Sequence, residues 1–361
     1  MESLPLRVEL LGEEPYGAPT DRVPVRLNVN ENPYPPPEAV VQAIGERLAE
    51  VAVSLNRYPD REVKRLRSAL ANYVGRGITA SQIWPANGSN EVMHQLLGAF
   101  AGPGRSMLTF SPSYSMYPVY ARDTMTAFRS EERGPDFSID LDAAAAAIKA
   151  DSPAVVVVAS PNNPTGTPLS RSEILSLHDL VAPAGVLVID EAYAEFGDGS
   201  SALDLIEDLD RLVVVRTLSK AFGLAGLRLG YAVSSADVVD ALRIVRLPYH
   251  LSSTTQEAAI AALEFSDDLL APVAEVVRER DELMVWLSEQ EIPFAQSQAN
   301  FVLIGPLTDS AEIFTGLRDR GVLIRETSIP GCLRVSIGTP AENQIFRKEF
   351  GEIVHRAGAD S

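Results

Sequence analysis

The chain has one cysteine, Cys332, and four histidines, His94, His178, His250 and His355, in 361 residues. One thiol permits no disulfide within the chain, and the scattered histidines lack metal-ligand spacing, so neither a disulfide scaffold nor a zinc site is expected. Positive charge is also scarce: 31 lysines and arginines face 49 acids, for a formal charge of −18. Such a surface repels nucleic acid and anionic membranes, and an anionic ligand needs a locally positive pocket. No purely apolar run is longer than Ala154–Ala159, far short of the about 20 residues that span a bilayer. The N-terminal MESLPLRVELLGEEP has no signal-peptide core, so a soluble cytoplasmic protein is expected. No GxxxxGK[ST] loop occurs, and Gly102-Pro103-Gly104 opens no GxGxxG fingerprint because Met107 stands in the last glycine's place.

The apolar share is 46% and the charged share 22%, ordinary values for a chain that buries a large core. At roughly 100–200 residues per domain, the length suggests two domains. The first 36 residues, punctuated at their end by Pro33, Pro35 and Pro36, read as an arm. Helical spacing follows at Val63, Leu66, Leu70 and Val74, and again at Val92, Met93, Leu96, Leu97 and Phe100. Six short apolar runs, SMLTF, TMTAF, AVVVVAS, GVLVID, RLVVVR and RLGYAV, then alternate with helical stretches. Runs apolar throughout indicate a mainly parallel sheet covered on both faces. Ser170 and Glu173 have capping-box spacing ahead of ILSLHDLV. Beyond Pro248 the texture becomes helical as far as Glu289, with Pro272 as a break, and ends in NFVLI, GVLIR and LRVSI. The expected class is α/β, with a large domain over residues 37–250, the start of which could pack with the small domain, and a smaller α+β domain over residues 251–361.

In open parallel sheets, ligands bind beyond the carboxyl ends of the strands. There the chain places Asn162-Asn163-Pro164-Thr165-Gly166, Asp190-Glu191-Ala192-Tyr193 and Thr217-Leu218-Ser219-Lys220. Asn87-Gly88-Ser89-Asn90 opens a helix, where free N–H groups can hold a phosphate. An amide, a carboxylate, a phenol, an amine and a phosphate cradle together describe pyridoxal 5'-phosphate, which needs a lysine for its aldehyde and an acid for its ring nitrogen. Lys220 and Asp190 are the candidates. Alone, Asp190 could equally cap a turn and the Ser-Lys pair could be a solvated loop; the company of the other segments favours the site.

The segments NRYPD, ANGSNE, PSYSMY, SPNNPTG, DEAYAEF and LSKAFGLAGLRLGY, in this order between Tyr16 and Ile337, resemble the signatures of fold-type-I aminotransferases, specifically the histidinol-phosphate aminotransferase family. The resemblance implies that Lys220 binds the cofactor covalently and moves the substrate's α-proton, and that Asp190 pairs with the ring nitrogen. It implies Asn163 and Tyr193 on the phenolic oxygen, Tyr114 stacked on the ring, and Ser89, Asn90, Ser219 and Arg228 on the phosphate. Tyr58 would reach in from a second subunit, making a homodimer. Arg334 resembles the substrate-carboxylate arginine, Arg325 and Tyr16 the groups on the substrate phosphate, and Asn30 and Tyr249 further substrate-side residues. The substrates so implied are L-histidinol phosphate and L-glutamate or 2-oxoglutarate, with no nucleic acid, membrane or metal. His250 is expected to be structural and Cys332 a small buried hydrophobe.

Two rivals on the same scaffold are an aromatic amino-acid aminotransferase and a threonine-phosphate decarboxylase. A catalytically silent interaction protein would have lost Lys220 or Asp190, and both are present.

Overall fold

A computed structural model describes residues 4–15, 17, 19, 21–181 and 184–359, the last four without side chains. Twelve strands are described: β1 Val25–Arg26, β2 Ile83–Ala86, β3 Ser106–Ser111, β4 Ala127–Glu132, β5 Val155–Ala159, β6 Val186–Asp190, β7 Leu212–Thr217, β8 Gly230–Val233, β9 Phe301–Ile304, β10 Val322–Leu323, β11 Arg325–Glu326 and β12 Leu333–Ser336. Seven form one sheet in the order β2-β8-β7-β6-β5-β3-β4, in which β8 alone runs against the others. A three-stranded antiparallel sheet, β11-β12-β9, and the parallel pair β1-β10 lie in the smaller part.

The central strands are apolar at every position because both faces are covered, and the period of two deals their side chains alternately. Val155, Val157, Val186, Val188, Val213 and Val215 enter the core under the helix Gly88–Phe100, while Val156, Val158, Leu187, Ile189, Leu212 and Val214 enter the core on the other face. The same alternation carries Asp190, two residues beyond Val188, to the Val188 face, where Tyr117 is buried.

Most elements lie where the pattern expects them. The Ser170–Glu173 box closes reciprocally, with Ser170 N–H donating to Glu173 Oε2 at 2.7 Å and Glu173 N–H donating to Ser170 Oγ at 3.2 Å. Pro272 separates the helices Ser266–Leu270 and Val273–Glu289. Two expectations need correction, and one strand was missed. TMTAF contributes only its last two residues to β4, because Thr124 still closes the preceding helix with its N–H on Tyr120 O. β2 carries Pro85 and gave no sequence signal; it is tolerated because it sits on the sheet edge. GVLIR divides into β10 and β11, paired to different partners.

The packing also departs from the expected divisions. Val25 and Leu27, inside the expected arm, lie in the smaller core with Val322, Leu323 and Val335. The following helix Glu38–Ala52 places Val40 in the larger core, not the smaller. The helix Ser253–Leu263 buries Ala259, Ile260, Ala262 and Leu263 there too, so the packing does not change at residues 250 and 251. We propose that the division falls near Pro272, with residues 23–34 completing the smaller domain.

Candidate active site

The carboxyl ends of β5, β6 and β7 lie side by side and open into a cavity of about 280 Å³. Of the residues expected on sequence grounds, Asn30, Ser89, Asn90, Tyr114, Asn163, Asp190, Tyr193, Ser219, Lys220, Arg228, Arg325 and Arg334 all border it. Tyr58 and Tyr249 do not. They stack on each other at 4.5 Å between centroids and are exposed. Tyr16 lies outside the described residues. His250 stacks on Trp84 and its Nε2 lies 2.9 Å from Pro85 O, a structural placement as expected. Cys332 is buried, and burial raises its thiol pKa.

Asp190 sits at the buried end of the cavity. Desolvation pushes its pKa up to about 6, opposed by hydrogen bonds from Tyr117 Oη at 3.0 Å and from Ala192 N–H at 3.3 Å. A buried acid raised in this way is a ready partner for a cationic ring nitrogen. Lys220 borders the same cavity, its Nζ donating to Val29 O at 3.0 Å. Burial, then the positive charge of Arg334, lower its pKa to about 8; Glu31 opposes them, and Arg228 adds a smaller push downward. A lowered amine supplies the neutral form that attacks an aldehyde.

Next to Asp190, Glu191 and Glu195 clamp Arg216 at 2.7 and 2.9 Å, and Glu191 also accepts from Ser201 Oγ and Ala202 N–H. This buried network holds the Asp190–Tyr193 turn. Removing one partner alone would leave an uncompensated charge. Arg334 on β12 donates to Asn163 Oδ1 at 2.6 Å and to Asn28 O at 2.9 Å. Arg325 on β11 is its register partner across the antiparallel pair, so both guanidinium groups border one cavity.

The residues expected to hold the phosphate come together by close approach. A Cβ on Gly230 would lie 2.2 Å from Ser89 N, and one on Gly88 would lie 2.7 Å from Arg228 Nη2. Glycine at both positions lets the helix start and the arginine lie close together, an arrangement able to receive an anion. Gly230→Ala is therefore expected to destabilise the protein by about 1–3 kcal/mol through overpacking, read by urea denaturation. These donors, with Asp190 and Lys220, fit pyridoxal 5'-phosphate in kind: donors for an anion, a buried acid and an amine border one cavity.

Sequence reasoning missed Tyr117, Asn28 and Val29. Tyr117 stood in the quoted PSYSMY segment three residues after Tyr114, and the two rings meet edge to face at 5.6 Å. Asn28 and Val29 act through backbone carbonyls, which no side-chain pattern reports.

Asp190 also sets a pH dependence. Its folded pKa exceeds the usual 3.8, so its stabilising contribution is full below about pH 4 and is lost as pH rises through about 6. Cofactor-free Asp190→Asn should gain on the parent across that window, by up to about 3 kcal/mol at 1.36 kcal/mol per pKa unit. Urea denaturation of both proteins at pH 4 and pH 7 checks this; a constant difference would contradict it.

Residues 22–350 match the family described as aminotransferase class I and II. The chain belongs to that family. It is 52% identical over 359 residues to histidinol-phosphate aminotransferase of Thermobifida fusca, covering 99% of this chain and 97% of that one. To histidinol-phosphate aminotransferase 3 of Burkholderia lata it is 50% identical over 360 residues, covering 98% and 97%. Its fold matches the crystal structure of histidinol-phosphate aminotransferase from Sinorhizobium meliloti in complex with pyridoxal-5'-phosphate, with TM-score 0.82 and 24% identity over 93% of this chain and 92% of that one. No helix among the described residues is long and apolar enough to cross a membrane.

Proposed function

We propose that this chain transfers the amino group between L-histidinol phosphate and 2-oxoglutarate, giving imidazole-acetol phosphate and L-glutamate, in histidine biosynthesis. One observation carries the reading: Lys220 and Asp190 border the same cavity as the paired arginines Arg325 and Arg334. An amine and an acid suited to pyridoxal phosphate thus lie beside two anion receptors, and the family and its relatives support that chemistry. When bound, the cofactor supplies an electron sink that accepts the amino group.

The residues divide the work. Ser89 and Asn90 at the helix start, with Ser219 and Arg228, hold the phosphate. Asp190 holds the positive charge of the ring nitrogen, and Tyr117 orients Asp190. Tyr114 would pack on the ring, and Asn163 and Tyr193 would hold the phenolic oxygen. Lys220 carries the substrate's α-proton, which its lowered pKa allows near neutral pH. Arg334 and Arg325 receive anions; a planar guanidinium binds carboxylate and phosphate alike, so the same pair serves glutamate and the phosphorylated imidazole. Tyr16 joins them on the substrate phosphate.

Two copies complete the site. Tyr58 is 80% exposed and borders no part of its own cavity, which supports its service to a second copy, with Tyr249 stacked behind it. Mixing Lys220→Ala with Tyr58→Ala chains should restore turnover through hybrid dimers that hold one intact site. Restoration failing in dimers shown to have exchanged would remove the shared-site reading. The working compartment is the cytoplasm.

The substrate assignment is tested by steady-state kinetics with histidinol phosphate, phenylalanine and threonine phosphate. Histidinol phosphate is expected to give the highest kcat/KM; a phenylalanine preference, or loss of carbon dioxide from threonine phosphate, would overturn it.

A further inference from the structure

Tyr58 and Tyr249 stand on two short segments that one ion-pair cluster ties together. Glu62, four residues after Tyr58, accepts at Oε1 from Arg246 at 2.8 Å and from Arg61 at 2.9 Å, and at Oε2 from Arg243 at 2.6 Å. Arg246 comes three residues before Tyr249 and also donates to Arg61 O. A further tie runs from Gln256 Nε2 to Asp60 O at 3.2 Å. The side chains of Arg246 and Glu62 are 8% and 17% exposed, so this is not a freely solvated pair of negligible worth.

Strained backbone marks both segments. Val63, next to Glu62, has a φ of 46° and Tyr249 one of 58°. Left-handed backbone is costly for such residues and persists only where the surroundings fix it. Val63 is fixed by burial in the larger core, whereas the Tyr249 ring is exposed. What holds Tyr249 is the chain on either side: Arg246 on Glu62 before it, and Asn87 Nδ2 donating to His250 O at 2.8 Å after it. The stacked rings thus rest on two segments that Glu62 and Arg246 join.

We infer that Glu62, through its pair with Arg246, is a positioning residue for Tyr58 and so acts on the site of the second copy. Glu62, Arg243 and Arg246 do not border this chain's own cavity, which leaves Tyr58 as the group through which they reach one. The inference rests on the shared site proposed above, in which Tyr58 serves the cofactor phosphate of its partner. It adds a direction: a change at Glu62 is felt in the other copy and spares its own.

The test places the substitution in cis or in trans to the only reactive lysine. Glu62→Gln keeps the length, but its amide nitrogen cannot accept from an arginine, so one of the three donors loses its acceptor. Arg246 also lies over the Trp84 ring of β2, 5.7 Å from its centroid, which makes Glu62 the cleaner residue to change. Two hybrid dimers, assembled from differently tagged chains, each carry one Glu62→Gln and one Lys220→Ala. In the first, both lie in one chain, whose Tyr58 serves the single remaining Lys220. In the second they lie in different chains, and that lysine receives Tyr58 from the chain with Glu62 intact. Pyridoxal phosphate is titrated, the lysine adduct is trapped with borohydride, and peptide mapping reads its yield at Lys220.

The half-saturating concentration is expected to rise about 10-fold in the first hybrid and to keep the value of the hybrid with Lys220→Ala alone in the second. Tyr58→Phe in place of Glu62→Gln sets the scale, since losing a hydrogen bond to a charged group costs about 10–100-fold. Arg243→Gln, which strips only the partner of Oε2, should act in the same direction and keeps the test open should the Glu62→Gln chain not fold. A weakened dimer would affect both hybrids alike, because each contains the same two changes. Equal shifts in the two hybrids, or none in the first, would overturn the inference. Tyr58→Phe without effect in the first arrangement would instead overturn the shared site, and the inference with it.

Discussion

Replacing Lys220 by alanine is expected to abolish covalent attachment of the cofactor and to lower turnover by at least about 10⁴-fold. Two losses combine: the amine that fastens the aldehyde, and the base that carries the α-proton, for which positioned acid–base groups alone supply about 10²–10⁴-fold. Among the described residues that border the cavity no other lysine stands in for it, and Arg334 and Arg228, the cations that depress its pKa, cannot lose a proton. Borohydride reduction followed by peptide mapping reads the first loss, and single-turnover kinetics with glutamate read the second. A reduced adduct on another side chain, or retained turnover, would refute the assignment.

The second large effect is expected at Asp190. Asp190→Asn keeps the shape and the hydrogen bond from Ala192, yet removes the charge opposite the ring nitrogen. Turnover should fall about 10²–10³-fold, the usual cost of losing one preorganised electrostatic partner. Borohydride labelling of Lys220 should persist, which separates this defect from loss of attachment. Wild-type turnover in the variant would contradict the role. The same substitution is expected to stabilise the cofactor-free chain above pH 6, because an ionised acid is then no longer held out of water. Activity and stability therefore pull in opposite directions at one atom pair, as at many functional sites.

How much of this was legible beforehand depends on what each feature is made of. β5, β6 and β7 were plain because continuous valine and isoleucine runs serve two buried faces, and the polar residues after them could only stand at one rim. The site side chains followed, since Asp190 ends one such run and Lys220 stands three residues beyond another. β2 was illegible because four residues containing a proline carry neither strand nor helix periodicity. Residues 23–34 read as an arm since prolines and turn residues dominate there, while pairing with β10 depends on a strand distant in sequence. Asn30 was picked out and borders the cavity, but its contacts with Ser336 and Tyr193 join residues distant in sequence, which spacing does not encode.

The pairing of β1 with β10 has a consequence for synthesis. Val25 leaves the ribosome early, but its partner Val322 is made only after the entire larger sheet. At roughly 5–20 residues per second, the first strand waits about 15–60 s for the edge it joins. During that interval Val25 and Leu27 have no companion surface, while the larger sheet can already assemble around β5 to β7. The smaller domain is thus finished last, from two stretches of chain nearly 300 residues apart.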